Sequence, residues 1–471
     1  MFNLEKGNGA TLTDQVYAGV MHQIETNRLL QGTRLPSVRK LAGTLGVSVF
    51  TISTAYERLV SQGILVSRTG AGYFVAHRRH VHNRGGAKTE EMPIGRPTGA
   101  VSFVLNTVDE GRYDIPAGSG FLPGDWLENA VSPSVIGRLV RNEVKCSVPT
   151  PTQGLPMLRQ QLATKLNNEG IQVDVEQIVI TYGATQAVSM ICNIMLKPND
   201  TVFVEDPGYM LQHAIIANTG AKIVPIRRTP DGPDLDALEE LAHEHRPKLF
   251  FTQTLLQNPT GTSTTPIFCY RLLSLAEKYD FHIVEDDVFS DICVHKSLRL
   301  AAMDGFQRVF YVNSFTKLMS PAMRVGFVVT QPKFVKPLVE QKVLTVLSGS
   351  SLQESLVFHA LQSGRYQAHL NYLQTKLLKA RSSAEQALAS AGIQFDSHPV
   401  HGMFLWGQVP CHVDIDRLIE DAFQKRIFLS KGSIFSPTGS FAHHLRFNVA
   451  HSNNPALIAF LSEAIRKGPA M

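Results

Sequence analysis

The spacing of apolar and polar positions divides the chain into regions of different pattern. From about residue 111, short apolar runs alternate with segments of helical spacing such as ATQAVSMICNIML and PIFCYRLLSLAEKY. Continuous apolar runs joined by helices are typical of buried parallel strands, so we predict an α/β domain with a mostly parallel central sheet. The predicted strands are QIVIT (177–181), TVFVED (201–206), KIVPI (222–226), KLFFTQT (248–254), FHIVED (281–286), RVFYVNS (308–314) and RVGFVV (324–329).

The pattern changes again at about residue 345. Long helical segments, of which FHALQSGRYQAHLNYLQTKLLKARSSAEQALASAG is the longest, precede two strand-like runs, GMFLW and HLRFNVA. Helices followed by separate strands predict a smaller α+β subdomain at this end of the chain.

Residues 11–75 have the spacing of helices followed by a hairpin. LTDQVYAGVMHQIETNRLL repeats its apolar positions at helical intervals, and RLPSVRKLAGTLGV predicts a second helix that ends at Gly46. Ser48 is a suitable N-cap for a third helix, SVFTISTAYERLVSQ. ILVSRTGAGYFV then predicts two short strands around Gly70 and Gly72. This order is a winged helix-turn-helix pattern.

Residues 77–110 lose periodicity and gain His, Gly and Pro. Such a long stretch without structure is uncommon inside a compact domain, so we predict a linker. The histidines at 77, 80 and 82 have no cysteine or carboxylate at a ligand-like spacing, and we predict no metal site there. The predicted domains are residues 1–76, 77–110 and 111–471.

The positive charge of the chain is concentrated near its N-terminus. Residues 1–84 hold ten Lys or Arg and four acids, a net charge of +6, whereas the whole chain carries +5. A basic head indicates either a polyanionic partner or a solvated basic face, and charge alone does not separate these two interpretations.

The number and spacing of the cysteines and the hydropathy of the chain indicate the cellular compartment of the protein. Five dispersed cysteines without a CxxC pair favour reduced thiols over a disulfide framework. No apolar signal segment is present, and no uncharged apolar run reaches the roughly 18–20 residues needed to span a bilayer. We therefore predict a soluble cytoplasmic protein with no membrane partner.

Polar residues follow five of the predicted strands, where ligands bind in sheets of this kind. Lys317 follows one strand, with Ser314 and Thr316 before it and Arg324 seven residues later. A lysine in this place is either a surface cation or an amine held for covalent chemistry. The other strand-end segments are YGATQA (182–187), EDPGY (205–209), QNPTG (257–261) and VEDDVF (284–289).

These segments, in this order, resemble the fold-type I aminotransferase family, which uses pyridoxal 5′-phosphate (PLP). The resemblance implies that Lys317 forms an imine with the cofactor, that Asp286 stabilises the protonated pyridine nitrogen, and that Tyr209 stacks on the ring. It also implies that Asn258 donates to the ring O3′ and that Arg446, in HLRFNVA, binds a substrate α-carboxylate.

The phosphate would lie at the N-terminus of the helix that YGATQA opens. The family usually has a tyrosine two or three residues after the aspartate, where it hydrogen-bonds O3′, but here Val288 and Phe289 occupy those positions. We expect the cofactor to bind through the other contacts, whereas turnover would lack this phenol. The phosphate contacts implied by the resemblance are Ala184, Thr185, Gln186, Ser314, Thr316 and Arg324, and Gln186 could instead be only a helix residue.

The N-terminal pattern resembles the GntR-type winged helix, in LPSVRKLAGTLGVS and TISTAYERLVSQGILVSRTGAGYFV. This resemblance implies binding to a double-stranded DNA operator, with the third helix in the major groove and the wing at the minor groove. The matching DNA-contact positions are Arg39, Ser48, Thr51, Arg68 and Gly70.

The family often has an arginine directly after the residue that matches Ser48. Here Val49 and Phe50 follow it. Base readout would then use other residues, such as Ser53 or Thr54 and apolar contacts to thymine methyl groups.

A GntR head, a linker and an aminotransferase-like body together resemble the MocR subfamily of bacterial regulators. We expect a homodimeric transcription regulator whose body senses an amine, an amino acid or PLP. The alternative is a catalytically active class I/II aminotransferase that carries a DNA-binding domain. A third hypothesis, a degenerate body that serves only for dimerisation, would predict loss of Lys317 or Asp286, and both are present.

Overall fold

The computed structural model describes residues 4, 11–26, 29–68, 71–76, 99–108, 111–142, 148–294 and 298–467. The chain divides into two compact units, Met1–Ile94 and Gly95–Met471. Among the described residues, no helix is long and apolar enough to cross a membrane.

The first unit is a winged helix-turn-helix, as the sequence predicted. Its helices begin at hydroxyl N-caps, because Thr11, Ser37 and Ser48 each accept a hydrogen bond from the backbone N–H three residues later. Gly46 ends the second helix in the left-handed region, at φ 66°. The described elements are helices α1 (Leu12–Glu25), α2 (Val38–Leu45) and α3 (Val49–Ser61) and strands β1 (Leu65–Arg68) and β2 (Gly72–Val75).

The core of this unit comes from the apolar faces of its helices and the wing. Val16 of α1 and Ile52, Tyr56 and Leu59 of α3 are fully buried. Strands β1 and β2 pair antiparallel, with Leu65 opposite Val75. The buried face of α3 fixes its orientation, and its opposite face is left to solvent.

The second unit contains the α/β domain and the smaller α+β part. Its described helices are α4 (Gly99–Val108), α5 (Gly124–Leu127), α6 (Pro133–Asn142), α7 (Pro156–Asn168), α8 (Gly183–Met195), α9 (Met210–Ala217), α10 (Leu235–His245), α11 (Pro266–Tyr279), α12 (Leu300–Asp304), α13 (Pro332–Val346), α14 (Ser351–Gln362), α15 (Arg365–Ser390), α16 (Ile415–Gln424), α17 (Val449–Ser452) and α18 (Pro455–Lys467). Its described strands are β3 (Ile178–Thr181), β4 (Thr201–Asp206), β5 (Lys222–Thr229), β6 (Gly232–Pro233), β7 (Leu249–Thr252), β8 (His282–Asp286), β9 (Val309–Ser314), β10 (Gly326–Val329), β11 (Gln394–Phe395), β12 (Phe404–Gln408), β13 (Ser430–Lys431) and β14 (His444–Asn448).

The larger sheet is mostly parallel, which confirms the predicted fold class. Its described strands lie in the order β3-β10-β9-β8-β7-β4-β5-β6. Strands β5, β4, β7, β8 and β9 pair in parallel, so their carboxyl ends meet at one edge. Strand β10 is antiparallel to both of its neighbours, a reversal that the apolar run RVGFVV did not indicate.

Both faces of this sheet are covered, which explains why its strands are continuously apolar. Ile178 and Ile180 of β3 pack into one hydrophobic cluster, whereas Val179 between them packs into another. Phe203 of β4 likewise faces the first cluster and its neighbour Val204 the second. Side chains alternate along a strand, so an apolar residue is needed at every position.

The smaller sheet has the strand order β11-β12-β14-β13, and its pairs are antiparallel. Strands β12 and β14 are the runs predicted from GMFLW and HLRFNVA. Trp406 of β12 lies opposite Arg446 of β14. This sheet places Arg446 on an ordered strand.

The predicted linker is not irregular throughout, because its residues 99–108 form helix α4. The sequence interpretation missed this helix since GAVSFVLNTV is short, apolar and flanked by Pro and Gly. Phe103 packs on Phe428 and Phe435, with ring centroids 5.2 and 6.4 Å away. Residues 77–98, which include the three histidines considered as metal ligands, lie outside the described residues.

Candidate functional site

The carboxyl ends of the parallel strands open into a cavity of about 1140 Å³. Most of the cofactor contacts predicted from the sequence line it. Those residues are Ala184, Thr185, Tyr209, Asn258, Asp286, Ser314, Thr316, Lys317 and Arg324. The topology brings them together because each follows, or ends, a strand of the same sheet edge.

One end of the cavity brings together hydrogen-bond donors and a positive charge. The N-terminus of α8 carries backbone N–H groups without helical partners, and Gly183 opens that helix at φ 75°. Arg324 donates from Nη2 to the Tyr182 carbonyl at 3.0 Å and from Nη1 to Thr316 Oγ1 at 3.3 Å. Ser314 Oγ donates to the same Thr316 hydroxyl at 3.0 Å.

Gly183 is required for this close approach. A Cβ atom at this position would lie 2.9 Å from Arg324 Nη2 and 3.3 Å from Thr316 Oγ1. The helix N-terminus, two hydroxyls and a guanidinium group therefore surround a space that suits a phosphate.

Gln186 is placed differently from the other predicted phosphate contacts. Its Oε1 accepts a hydrogen bond from the Tyr182 N–H at 2.8 Å, and its Nε2 donates to Thr345 Oγ1 at 3.3 Å. The side chain thus caps the start of α8 and is not among the residues that line the cavity. Its cofactor role stays a prediction.

The amine of Lys317 lies in the cavity between a carbonyl and an aromatic ring. Nζ donates to the Gly120 carbonyl at 3.1 Å and lies 4.0 Å from the centroid of the Phe121 ring. Burial, together with the positive charges of Arg446 and Arg324, lowers the pKa of Lys317 to about 7, against the opposing effect of Asp286. A lysine with this pKa is a usable nucleophile at neutral pH.

Asp286 is buried at the end of β8, with its carboxylate directed to the cavity. It accepts hydrogen bonds from Gln212 Nε2 at 2.8 Å and from the Val288 N–H at 3.4 Å. Burial, with a contribution from the nearby Asp287, raises the pKa of Asp286 to about 7, against the opposing effects of its hydrogen bonds and of Lys317. A cationic group placed beside Asp286 would restore its negative charge.

The two acids that flank Asp286 have structural partners. Glu285 accepts from the backbone N–H groups of Leu300 and Ala301, both at 2.9 Å, and so caps helix α12. Asp287 accepts from Arg299 Nε at 3.3 Å and from the Tyr311 hydroxyl at 2.7 Å. Asp286 is therefore the member of this acidic run that lines the cavity.

Arg446 is 1% exposed and lies beside the cavity. Nη1 donates to Asn258 Oδ1 at 2.9 Å and Nη2 to the Gly118 carbonyl at 2.6 Å. Its Nε has no hydrogen-bond partner among the described residues, and burial lowers the pKa of Arg446 to about 9. Among the described residues, this guanidinium group donates hydrogen bonds to neutral oxygens and lies over the Phe404 and Phe435 rings, at 4.5 and 4.9 Å, so its role in binding a carboxylate stays a prediction.

Tyr209 stands at the N-cap of α9 and lines the cavity. Burial raises the pKa of Tyr209 to about 12, so its phenol is neutral. Where the aminotransferase pattern has another tyrosine, Val288 and Phe289 are buried, and the Phe289 ring packs edge-on against Phe404 at 5.5 Å. This side of the cavity offers hydrocarbon instead of a phenol.

The sequence analysis missed the loop of residues 118–121. Its carbonyl oxygens accept hydrogen bonds from Arg446 at Gly118, from Asn448 at Ser119 and from Lys317 at Gly120. Backbone carbonyls carry no residue-type signal, so only the two glycines of GSGF could have indicated a close approach. Gln212, which holds Asp286, was missed as well, because an amide on a helix is an ordinary residue.

The predicted DNA contacts lie on the first unit. Arg39 is exposed on α2, and Ser48 and Thr51 form the N-cap of α3, where their hydroxyls are 2.8 Å apart. Arg68 lies on the wing with Cζ 4.8 Å from the Phe74 ring centroid. Gly70 lies outside the described residues.

Comparison with known proteins agrees with this division. Residues 110–461 match the family "Aminotransferase class I and II", and residues 12–75 match "Bacterial regulatory proteins, gntR family". A curated relative, "Uncharacterized HTH-type transcriptional regulator YdcR" of Escherichia coli (strain K12), is 28% identical over 451 residues, 93% of this chain and 94% of its own length. "Uncharacterized aminotransferase SSO0104" of Saccharolobus solfataricus is 30% identical over 320 residues, 66% of this chain and 80% of its own.

Among solved structures, LysN, an α-aminoadipate aminotransferase from Thermus thermophilus, has the same fold. It superposes with a TM-score of 0.71 at 24% identity and covers 78% of this chain and 94% of its own. The cofactor that this fold and family imply is PLP. The chain therefore belongs to the aminotransferase class I and II family and carries a GntR-family DNA-binding domain before it, which is the MocR arrangement.

Proposed function

We propose that this protein is a PLP-dependent transcription regulator that binds operator DNA as a homodimer and responds to an amine, an amino acid or PLP itself. The observation that carries the proposal is that most of the predicted cofactor contacts line one cavity with Lys317, in a chain that also holds a GntR unit. A protein with this role acts in the cytoplasm, beside the chromosome. Relatives that match over nearly their full length are named as HTH-type transcriptional regulators, which supports the proposal.

The residues present fit PLP. Bound PLP supplies an aldehyde that links covalently to amines and a protonated ring that withdraws electrons. Arg324 and the N-terminus of α8 would hold the phosphate, and Asp286 would pair with the ring nitrogen. Tyr209 would stack on the ring, and Asn258 would donate to O3′.

The chain's own groups prepare this chemistry. Burial and the neighbouring guanidinium groups keep a large fraction of Lys317 neutral near pH 7, and the Gly120 carbonyl orients its N–H. The amine can therefore attack without first losing a proton to solvent. Arg446 would orient an incoming amino acid through its carboxylate, beside Lys317.

A ligand can change transcription only if it binds one arrangement of the protein better than another. We infer that the ligand changes how the two DNA-binding units of a dimer meet two operator half-sites. The dimer and the ligand class are parts of the proposal.

A working aminotransferase with a DNA-binding head is the second candidate. The relative named "2-aminoadipate transaminase", from Thermus thermophilus, is 28% identical over 309 residues, which are 64% of this chain and 76% of its own length. Val288 and Phe289 in place of a phenol favour the regulator, because O3′ loses a hydrogen-bond donor that assists proton movement during turnover.

A transamination assay separates the two candidates. We expect full-length protein, loaded with PLP and given amino acids and 2-oxoglutarate, to produce glutamate only at the background rate. The same preparation should still bind DNA in an electrophoretic mobility-shift assay. Multiple turnovers at ordinary enzyme rates, of order 1–10³ s⁻¹, would instead support the aminotransferase.

Lys317→Ala is expected to abolish the visible absorbance of lysine-bound PLP and the mass increase seen after borohydride reduction. DNA affinity without PLP should stay unchanged, because Lys317 lies in the second unit. Lys336→Ala is the matched control, since the Lys336 side chain is 87% exposed and outside the cavity. A visible band that survives in Lys317→Ala would assign the covalent anchor to another residue.

Lys317→Met should stabilise the cofactor-free second unit most at low pH. The pKa of Lys317 is about 7 in the folded protein and 10.5 ordinarily, so between these values the unfolded chain binds more protons and wild-type stability rises with pH. The advantage of Lys317→Met should therefore shrink between pH 8 and 9, by at most about 1.4 kcal/mol. Calorimetry at both pH values measures this, with Lys336→Met, which removes a lysine that is 87% exposed, as the control.

Gly183→Ala is expected to weaken PLP binding by about tenfold or more. The added Cβ would displace Arg324 from the phosphate site, and a hydrogen bond to a charged group contributes about 1.5–3 kcal/mol. Fluorescence titration with PLP measures the affinity. Gly305→Ala is the control, because Gly305 has a similar φ of 58° but nothing within 4 Å of its Cβ position. Equal losses in both variants would mean that backbone strain, and not the phosphate cradle, causes the effect.

A further inference from the structure

The first turn of α3 presents two large apolar side chains to solvent. Phe50 is 79% exposed and Val49 is 51% exposed, whereas Ile52 and Tyr56 of the same helix are fully buried. The exposed pair therefore lies on the side of α3 that does not pack against its own unit. Exposed apolar residues are ordinary when single, but two adjacent ones at the start of one helix form a patch.

The polar side chains around this patch already have partners within the helix. Ser48 and Thr51 share a hydrogen bond at the N-cap, at 2.8 Å. Ser53 Oγ donates to Glu57 Oε1 at 3.0 Å, and Thr54 Oγ1 donates to the Phe50 carbonyl at 2.9 Å. The hydroxyls expected to read bases thus donate to other atoms of the protein, and the surface that this turn offers is mainly apolar.

The positive charge of this unit indicates which partner would bind the apolar patch. Arg39 and Lys40 are exposed on the neighbouring helix α2, and residues 1–84 carry a net charge of +6. Exposed basic side chains on the helix next to an apolar patch of the recognition helix are complementary to the major groove of a DNA duplex.

Within the major groove, one base exposes an apolar group. The 5-methyl group of thymine is the only hydrocarbon group there, and the other edges present hydrogen-bond donors and acceptors. We propose that Phe50, supported by Val49, reads thymine methyl groups, and that the operator half-sites of this protein contain thymine at the contacted steps. The proposal rests on the proposed function, since it requires DNA binding by the GntR unit.

Replacement of thymine by deoxyuridine tests this reading, because it removes the methyl group and leaves base pairing intact. Full-length protein first selects duplexes from a random 40-base-pair library. The enriched duplex is then synthesised with thymine or with deoxyuridine, and both affinities are measured at one salt concentration. Wild-type protein should lose about fourfold in affinity for each contacted methyl group, the effect of exposing one methyl-sized apolar group.

Phe50→Ala should bind the thymine and deoxyuridine duplexes with nearly equal affinity. Phe50 is largely exposed, so this variant should fold, and circular dichroism checks that it does. Leu30→Ala is the matched control, because Leu30 is 61% exposed in the same unit but is not on α3, and it should keep the wild-type ratio. Arg39→Ala should weaken binding to both duplexes equally and reduce the salt slope by about one.

The outcomes are distinguishable. A wild-type protein that binds both duplexes equally, or a Phe50→Ala variant that keeps the wild-type ratio, would overturn this inference and leave DNA binding intact. If the full-length protein enriches no duplex from the library, both the inference and the proposed function fail.

Discussion

The excess of positive charge around Lys317 is the constraint on which the rest of the cavity depends. Arg446 and Arg324 both act on this amine, and Asp286 is the acid that opposes them. The hydrogen bonds of both guanidinium groups go to carbonyl, amide and hydroxyl oxygens. Arg446 is fully buried and Arg324 partly buried, and a buried cation with neutral partners is costly, which supports the proposed phosphate beside Arg324 and the proposed carboxylate beside Arg446.

The loop of residues 118–121 connects the two halves of this arrangement. A Cβ atom at Gly118 would lie 2.5 Å from the Ser430 N–H nitrogen, and one at Gly120 would lie 3.5 Å from Lys317 Nζ. The Phe435 ring lies 4.9 Å from the Arg446 guanidinium carbon and also packs against Phe103 of helix α4. Arg446, the residue proposed to bind a carboxylate, thus contacts a ring that packs against helix α4. Contact alone is not coupling, which requires a ligand that favours one arrangement of these elements.

The sequence predicted those parts of the molecule that depend on residue type and periodicity. Lys317, Asp286 and Tyr209 are found at the cavity because each follows an apolar strand, and strand ends are readable from a pattern. The carbonyl contacts of the loop of residues 118–121, which precedes strand β3, were not predictable, since any residue supplies a carbonyl. Helix α4 was missed because a mainly apolar run of ten residues between Pro and Gly fits a linker as well as a helix. The antiparallel direction of strand β10 was missed because an apolar run has the same sequence pattern in a parallel and in an antiparallel strand.

The chain departs from its two family patterns in the same chemical sense, since apolar side chains replace polar ones. At the cavity, Val288 and Phe289 stand where the aminotransferase pattern has a tyrosine, and at the recognition helix Val49 stands where the GntR pattern often has an arginine. The basic residues proposed to provide affinity are still present, since Arg324 lines the cavity, Arg446 lies beside it and Arg39 is exposed on α2. Affinity comes from interactions made in the ground state, whereas turnover needs interactions that strengthen in the transition state. A site that keeps the ground-state interactions but lacks one interaction of the transition state is better suited to sensing a ligand than to converting it.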